Sequence, residues 1–291
     1  MEKKKVNNFV IGFIVIVVLI STYLILNHNA EIEHSNTTNS SVNIVNSSIE
    51  KYVDFTENVK ENAKEINFTI SEHNIKPQFK VGDKFKYTIH GSSLNPKNNS
   101  ADINGILECN VEKLERINGK DCYLLVSKTQ TSLPDNSPLK AILSETKHWV
   151  DKDTGKIIKT SIQESMIQQK GKVIEMPSSE ATIPNETSDI YGNIMYYPWM
   201  LALDDNFEMK VNENSQGIKT SFVSVFKVIG KEKINDRDCF KVELRVLDEN
   251  KHVLLRENIW VDIKKRVLVK AETYSENLKV GEVNLIDYSS I

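Results

Sequence analysis

Two short motifs recur in the same order along this chain, and they constrain its fold more than any other feature. INGKDCY begins at Ile117, and INDRDCF begins at Ile234, 117 positions later. WVD begins at Trp149 and again at Trp260, 111 positions later, and each is followed by an apolar pair and a lysine (Ile157-Ile158-Lys159, Leu268-Val269-Lys270). Two blocks in the same order point to a repeated unit. Each unit reads as a β-meander: a strand, a polar turn at Asn118-Gly119 or Asn235-Asp236, a strand from the cysteine, and a third ending at Trp-Val-Asp. A turn at Asp153-Thr154-Gly155, or at Lys264-Lys265, leads to a fourth strand, and further strands are expected near 171–175 and 279–287. The segment 79–90 alternates apolar and polar residues after Gly82-Asp83.

One meander cannot bury a face alone. The expected fold class is mainly β: a curved antiparallel sheet or half-barrel built from two β-meander repeats with a short helical crossover, preceded by one N-terminal transmembrane helix. Two separate small β-domains are the alternative. The linker between the copies (DIYGNIMYYPWMLAL from Asp189) is apolar rather than Gly/Ser-rich, which favours one sheet with a lid-like helix or a buried crossover. The expected organisation is a cytoplasmic tip 1–8, an anchor 9–26, a polar stalk 27–47, a helix and linker 48–78, a first repeat 79–188, a crossover 189–205 and a second repeat 206–291.

The anchor reading rests on residues 9–26, 18 positions without a charge. At about 1.5 Å per residue this run is roughly 27 Å long, close to the hydrocarbon thickness of a bilayer. Lys3, Lys4 and Lys5 precede it, and Glu31 and Glu33 follow, so the N-terminus is expected in the cytoplasm and the rest outside. A cleaved signal peptide is the alternative; its apolar run is usually shorter, and LNHNA fits a cleavage site poorly. The stalk is too poor in apolar residues to pack. Sequons stand at Asn36, Asn39, Asn46, Asn67, Asn98 and Asn185, candidates for glycosylation outside the cell. A Ser47-x-x-Glu50 capping box opens an expected amphipathic helix over about 48–66.

The repeated pattern resembles the lipoprotein-carrier (Lol-type) half-barrel superfamily and its uncharacterised extracytoplasmic relatives, over roughly residues 79–291. The residues that carry the resemblance are Trp149, Val150, Asp151, Gly155 and Lys159, with Trp260, Val261, Asp262 and Lys270 in the second copy and Arg266 at the glycine position. It implies an open antiparallel barrel, a helical lid and an apolar cavity for acyl chains. A helical tether departs from that pattern and argues against shuttling between membranes.

Other chemistry finds little footing. With 37 Lys and Arg against 40 Asp and Glu, and a pI near 6.1, the chain lacks the basic excess of a nucleic-acid binder. Cys109, Cys122 and Cys239 are an odd set, read as buried thiols, with a Cys122–Cys239 disulfide requiring adjacent strands. Scattered histidines and the absence of a Cys-x-x-Cys motif suggest no metal and no cofactor. His148 reads as structural because Ile259 takes its place in the second copy. Asp151-x-Asp153-x-Gly155 resembles the start of a calcium loop but is explained as a hairpin turn. Ser144-x-x-Lys147 matches a nucleophile motif, but on a strand positions three apart face opposite sides.

The expectation is therefore a non-enzymatic, membrane-anchored extracytoplasmic domain that binds a lipid or other apolar ligand, with Trp149, Trp260, Tyr196, Tyr197 and Trp199 as the candidate cavity residues. The competing reading is a cell-surface interaction or envelope-structural module with a filled core and envelope-protein partners. An enzyme of another type would need convergent ionisable groups in a cleft.

Overall fold

The computed structural model describes residues 63–64, 75–92, 102–135, 137, 139–183, 191–215, 221–248, 250–275 and 277–290. The run 9–26, the stalk and all six sequon asparagines lie outside these. Among the described residues no helix is long and apolar enough to cross a membrane. The expected helix over 48–66 also falls outside, except at its end. There Ala63–Lys64 is instead a short strand (β1), paired antiparallel with Asn214 and Ser215. Pairing to a sheet edge overrides helical periodicity at this point.

The described residues form one antiparallel sheet of 14 strands. The first half comprises β2 (Lys84–Ser92), β3 (Asp102–Ile117), β4 (Lys120–Ser132), β5 (Leu139–Asp151) and β6 (Ile157–Gln168). Short strands β7 (Val173–Glu175) and β8 (Ser179–Thr182) both pair with β6. The second half comprises β9 (Glu208–Ser215), β10 (Ser221–Ile234), β11 (Arg237–Leu247), β12 (Val253–Asp262), β13 (Leu268–Ser275) and β14 (Leu278–Ser289). Each half is an up-and-down meander. The halves join where β14 pairs with β2, over Gly281 to Ser289 against Gly91 to Lys84. The hairpins β3–β4, β5–β6, β10–β11 and β12–β13 share one rim, called lower here; β4–β5, β6–β7, β11–β12 and β13–β14 share the upper rim.

The hairpin turns follow from sequence. Asn118 and Gly119, and Asn235 and Asp236, all have positive φ, as a two-residue type I′ turn requires. Bulges recur at matching places: the register of β3–β4 shifts between Val111 and Lys113, and that of β10–β11 between Val228 and Gly230. The β5–β6 and β12–β13 registers shift beside Trp149 and Trp260. Such bulges add local twist and bend.

The sheet must be strongly curled. Tyr196 reaches the β5–β6 turn, and Trp199, three residues later, packs on Phe226 of β10. Those strands lie eight steps apart in the sheet, roughly 38 Å if it were flat at ~4.8 Å per step. Three residues span at most about 11 Å. The curl encloses one apolar core, in which alternate residues such as Phe85, Tyr87, Ile89, Leu107, Leu125, Phe240, Val242, Val283 and Leu285 meet residues 191–203.

Candidate functional site: an inner recess beside a clamped crossover

Residues 191–203 run across the inner face as a tight turn followed by a 3-10 turn, Pro198–Ala202. Asn193 and Tyr196 exchange backbone hydrogen bonds, and the Asn193 side chain accepts a third from the Tyr196 amide. Both halves hold this segment. From the first, the Ser127 hydroxyl accepts from Asn193 Nδ2 at 2.9 Å, and the Gly155 carbonyl accepts from the Tyr196 hydroxyl at 2.8 Å. From the second, the Leu268 amide donates to the Met195 carbonyl, and Arg266 donates to the carbonyls of Met200 and Leu203. Trp199 stacks on Phe207 and packs on Phe226. Of the two forms expected for this segment, it takes that of a buried, clamped crossover. On the second half it packs around Phe207, Phe226 and Arg266.

The five aromatic residues named from sequence do not come together. Tyr196, Tyr197 and Trp199 belong to the crossover and the main core, whereas Trp149 and Trp260 sit in two small apolar clusters of their own. Alternation places those two on the outer face, because their neighbours Val150 and Val261 point into the core. Their surroundings match in most contacts, with Lys241 over the Trp260 ring as an addition in the second half, where the first has Leu124. Trp149 Nε1 donates to Glu115 at 2.9 Å and Trp260 Nε1 to Glu232 at 2.8 Å. Lys159 lies over one ring and Lys270 over the other, at 4.5 and 5.3 Å. Asp151 pairs with Lys120, and Asp262 with Arg237. Each aspartate also accepts two backbone amides of the following turn, which is what the calcium-like sequence builds. Among the described residues no group of three or more acidic, histidine or cysteine side chains is placed to hold a metal.

The cysteines are free and buried. Cys122 on β4 and Cys239 on β11 are separated by five strands, which precludes the disulfide between them. Burial pushes the thiols of Cys109 and Cys239 up to about 12 and that of Cys122 to about 11, so none is a thiolate nucleophile near neutrality. Ser144 and Lys147 sit on opposite faces of β5, with Lys147 paired to Glu145 outside.

What the crossover leaves open lies on the inner face of the first half. The strand pairings set Ser127 opposite Thr146 and Thr129 opposite Ser144, with Thr146 facing Ile162, and Ser144 facing Glu164, on the next strand. Thr129, Ile142, Ser144, Thr146, Ile162 and Glu164 are half-buried. Thr131 and Met166 toward the upper rim are buried, as are Ser127, His148 and Thr160 toward the lower rim. Accessibility thus rises in the middle of the strands, which defines a recess floored by hydroxyls, one carboxyl and two isoleucines. Deeper in, His148 and Thr160 stand opposite each other, each 1% exposed; among the described residues neither His148 ring nitrogen nor the Thr160 hydroxyl makes a hydrogen bond of good geometry, the backbone at Gly192 lying close to the ring without one.

Two inner carboxyls differ in setting. Burial alone raises the pKa of Glu164 in the recess. On the second half, burial raises Glu257 to about 7 against the opposing hydrogen bond donated by Thr273 at 2.8 Å. Burial lowers His148 to about 4, opposed by the backbone at Gly192. Reading the sequence for aromatic residues missed the recess. The signal it held was the mismatch between the halves: Ser127, Thr129, Ser144, Thr146 and His148 stand where the second half has Leu244, Val246, Leu255, Glu257 and Ile259.

No family model matches the chain, and no curated protein does. Among solved structures it is similar to a β-barrel-like domain of unknown function (DUF1849) from Brucella abortus. That match is at 8% identity and a TM-score of 0.44, covering 76% of this chain and 100% of that one. It is also similar to an exported protein with a YmcC-like fold from Bacteroides fragilis and to a lipoprotein from Parabacteroides distasonis. Each is 12% identical with a TM-score of 0.34, covering 75% of this chain and 100% of its own. Similarity at this level carries no argument about function.

Proposed function

We propose that this protein is a membrane-tethered extracytoplasmic domain that holds an apolar or amphiphilic ligand, with no catalysis of its own. The apolar run 9–26 supplies the tether, and the chain beyond it lies outside the cell. The two meanders are copies of one unit, in keeping with the resemblance to Lol-type half-barrels. The ligand lies in the recess of the first half, against Ile142, Ile162 and Met166, with the clamped crossover as a fixed floor rather than a moving lid. The observation that carries this reading is the recess itself: mid-strand residues on the inner face stay accessible while those on both sides of them are buried.

Binding draws on apolar burial, at about 25 cal/mol per Å². The full-length chain, extracted in detergent from its host membrane, is expected to carry a non-covalent amphiphile in native mass spectrometry. Ile162→Trp, which fills the recess, is expected to abolish the adduct while the fold persists by circular dichroism. Absence of any adduct, together with failure to take up added decanol, sinks the proposal. It favours instead the second reading, a surface interaction module whose interior is filled. The buried crossover supports that reading in the second half.

A further inference from the structure

The recess carries more unused hydrogen-bonding capacity than an apolar ligand would justify. The hydroxyls of Thr129, Ser144 and Thr146 and the carboxyl of Glu164 make no hydrogen bond to another described residue. Behind them, His148 and Thr160 hold three buried polar atoms that make no well-formed hydrogen bond among the described residues. Buried polar atoms are nearly always paired, because an unmet donor or acceptor costs on the order of 1–3 kcal/mol. Two of these side chains, His148 and Thr160, are buried in that state, and four more on the same three strands are half-buried and open to solvent or a ligand, all turned to one face.

The matching surface of the second half shows that this is not a demand of the fold. Leu244, Val246, Leu255, Ile259 and Ala271 occupy the positions of Ser127, Thr129, Ser144, His148 and Thr160, while Glu257, Thr273 and Ser275 stand at those of Thr146, Ile162 and Glu164. There the buried polar pair is closed on itself, Thr273 donating to Glu257, and the remaining lining is mostly aliphatic, so the hydroxyl-rich lining of the first half is not imposed by the strands and bulges the halves share.

Charge narrows the ligand. Along the recess, the inner positions of β4 (127–131), β5 (142–148) and β6 (160–166) hold no lysine or arginine, and the acidic group among them is Glu164. An anionic group such as a phosphate would meet a carboxyl and no cation. A cationic group would use Glu164 and leave the hydroxyls idle. A group bearing several hydroxyls of its own uses all of them: each hydroxyl both donates and accepts, and a carboxyl accepts from two neighbouring hydroxyls at once.

Resting on the recess as the ligand site, we infer that it recognises an uncharged, hydroxyl-rich group, a sugar or polyol, through Thr129, Ser144, Thr146 and Glu164, with His148 and Thr160 at its deep end. The group arrives either as the headgroup of a lipid or as a free sugar. The isoleucines and Met166 beside the hydroxyls favour a lipid.

The test uses the full-length chain in phosphatidylcholine nanodiscs, with empty nanodiscs as the correction for partition. Octyl β-glucoside, octyl phosphate, octyltrimethylammonium and free glucose are titrated at submicellar concentration by calorimetry. Octyl β-glucoside is expected to bind about tenfold more tightly than the two charged amphiphiles. Glu164→Gln and Ser144→Ala are each expected to weaken it by about fivefold to tenfold. Thr129→Val, a near-isostere, repeats the measurement should either of those variants lose its circular dichroism spectrum. Binding of glucose as tight as that of octyl glucoside marks a free sugar as the source; much weaker binding marks a lipid. Equal binding of all three amphiphiles overturns the headgroup assignment and leaves the ligand-holding role standing. Tighter binding of octyl phosphate or octyltrimethylammonium also overturns it. Binding of none of the four overturns both.

Discussion

Gly155 and Arg266 occupy the same place in the two meanders, and opposite side chains serve it. Both have positive φ, 74° and 58°. At Gly155 the crossover comes so close that a Cβ would run into Leu201 and the Tyr196 hydroxyl. At Arg266 the crossover stands off, and the guanidinium fills the gap, donating to two crossover carbonyls and lying 4.9 Å over the Phe240 ring. The outer stations around Trp149 and Trp260 are closely alike in both halves, while the inner surfaces differ more. Turns, bulges and ion pairs on the outside set the curvature, and the inside is free to change.

The largest way to break this comparison is Gly155→Val. It combines a left-handed β-branched residue with a clash against the crossover, and is expected to cost about 3–4 kcal/mol in urea unfolding. Arg266→Gly relieves backbone strain while losing the carbonyl contacts, and is expected to cost less than half as much. Equal losses at the two sites would mean that they do not play the parts described.

The inner surfaces oppose each other in pH response. Glu257 prefers its proton in the folded state, so the stability it contributes is present below about pH 4.5 and is lost by about pH 7. His148 prefers to stay neutral, so its contribution is present above about pH 6.5 and is lost toward pH 4. Each is worth roughly 3 kcal/mol across its window, and the two slopes largely cancel. Glu257→Gln is expected to leave stability rising with pH between 4 and 7, and His148→Gln to leave it falling. Parallel slopes in the two variants would refute both assignments.

Smaller effects sharpen the outer comparison. Arg237 bonds Asp262 at 2.8 Å and lies over Tyr288, whereas its counterpart Lys120 reaches Asp151 at 3.1 Å from a more exposed position. Alanine at Arg237 is expected to cost about 1–2 kcal/mol, and at Lys120 under about 0.5. Smallest of all, Thr160→Val replaces a hydroxyl that has no partner and is expected to be neutral or stabilising by up to about 1 kcal/mol in the ligand-free protein.

The strands and turns were the legible part. Asn-Gly turns, the alternating pattern and the matched blocks led to β2 to β6 and β10 to β14. A third match, Phe85, Tyr87 and Ile89 against Phe207, Met209 and Val211, places β9 as the counterpart of β2 and went unread. The aromatic residues pointed away from the recess. Trp149 looked like a cavity residue because it is large and apolar, yet the parity of its strand puts it outside, and only knowledge of which neighbour faces the core decides that. The recess was hidden for the converse reason. Ser, Thr and Glu at alternate positions read as a solvated face until the curl of the sheet turns that face inward.

The pairing of β14 with β2 has one more implication. The seam between the halves is closed by residues far apart along the chain: Tyr87 donates to the Leu268 carbonyl across 181 positions, and Tyr288 to Asp83 across 205. A ribosome must therefore release almost the whole polypeptide before the seam can zip. Until then β2 offers a bare hydrogen-bonding margin to any neighbour, so assembly is slow and exposed to mispairing. A chain of this design stays open to wrong partners until its last strand is in place.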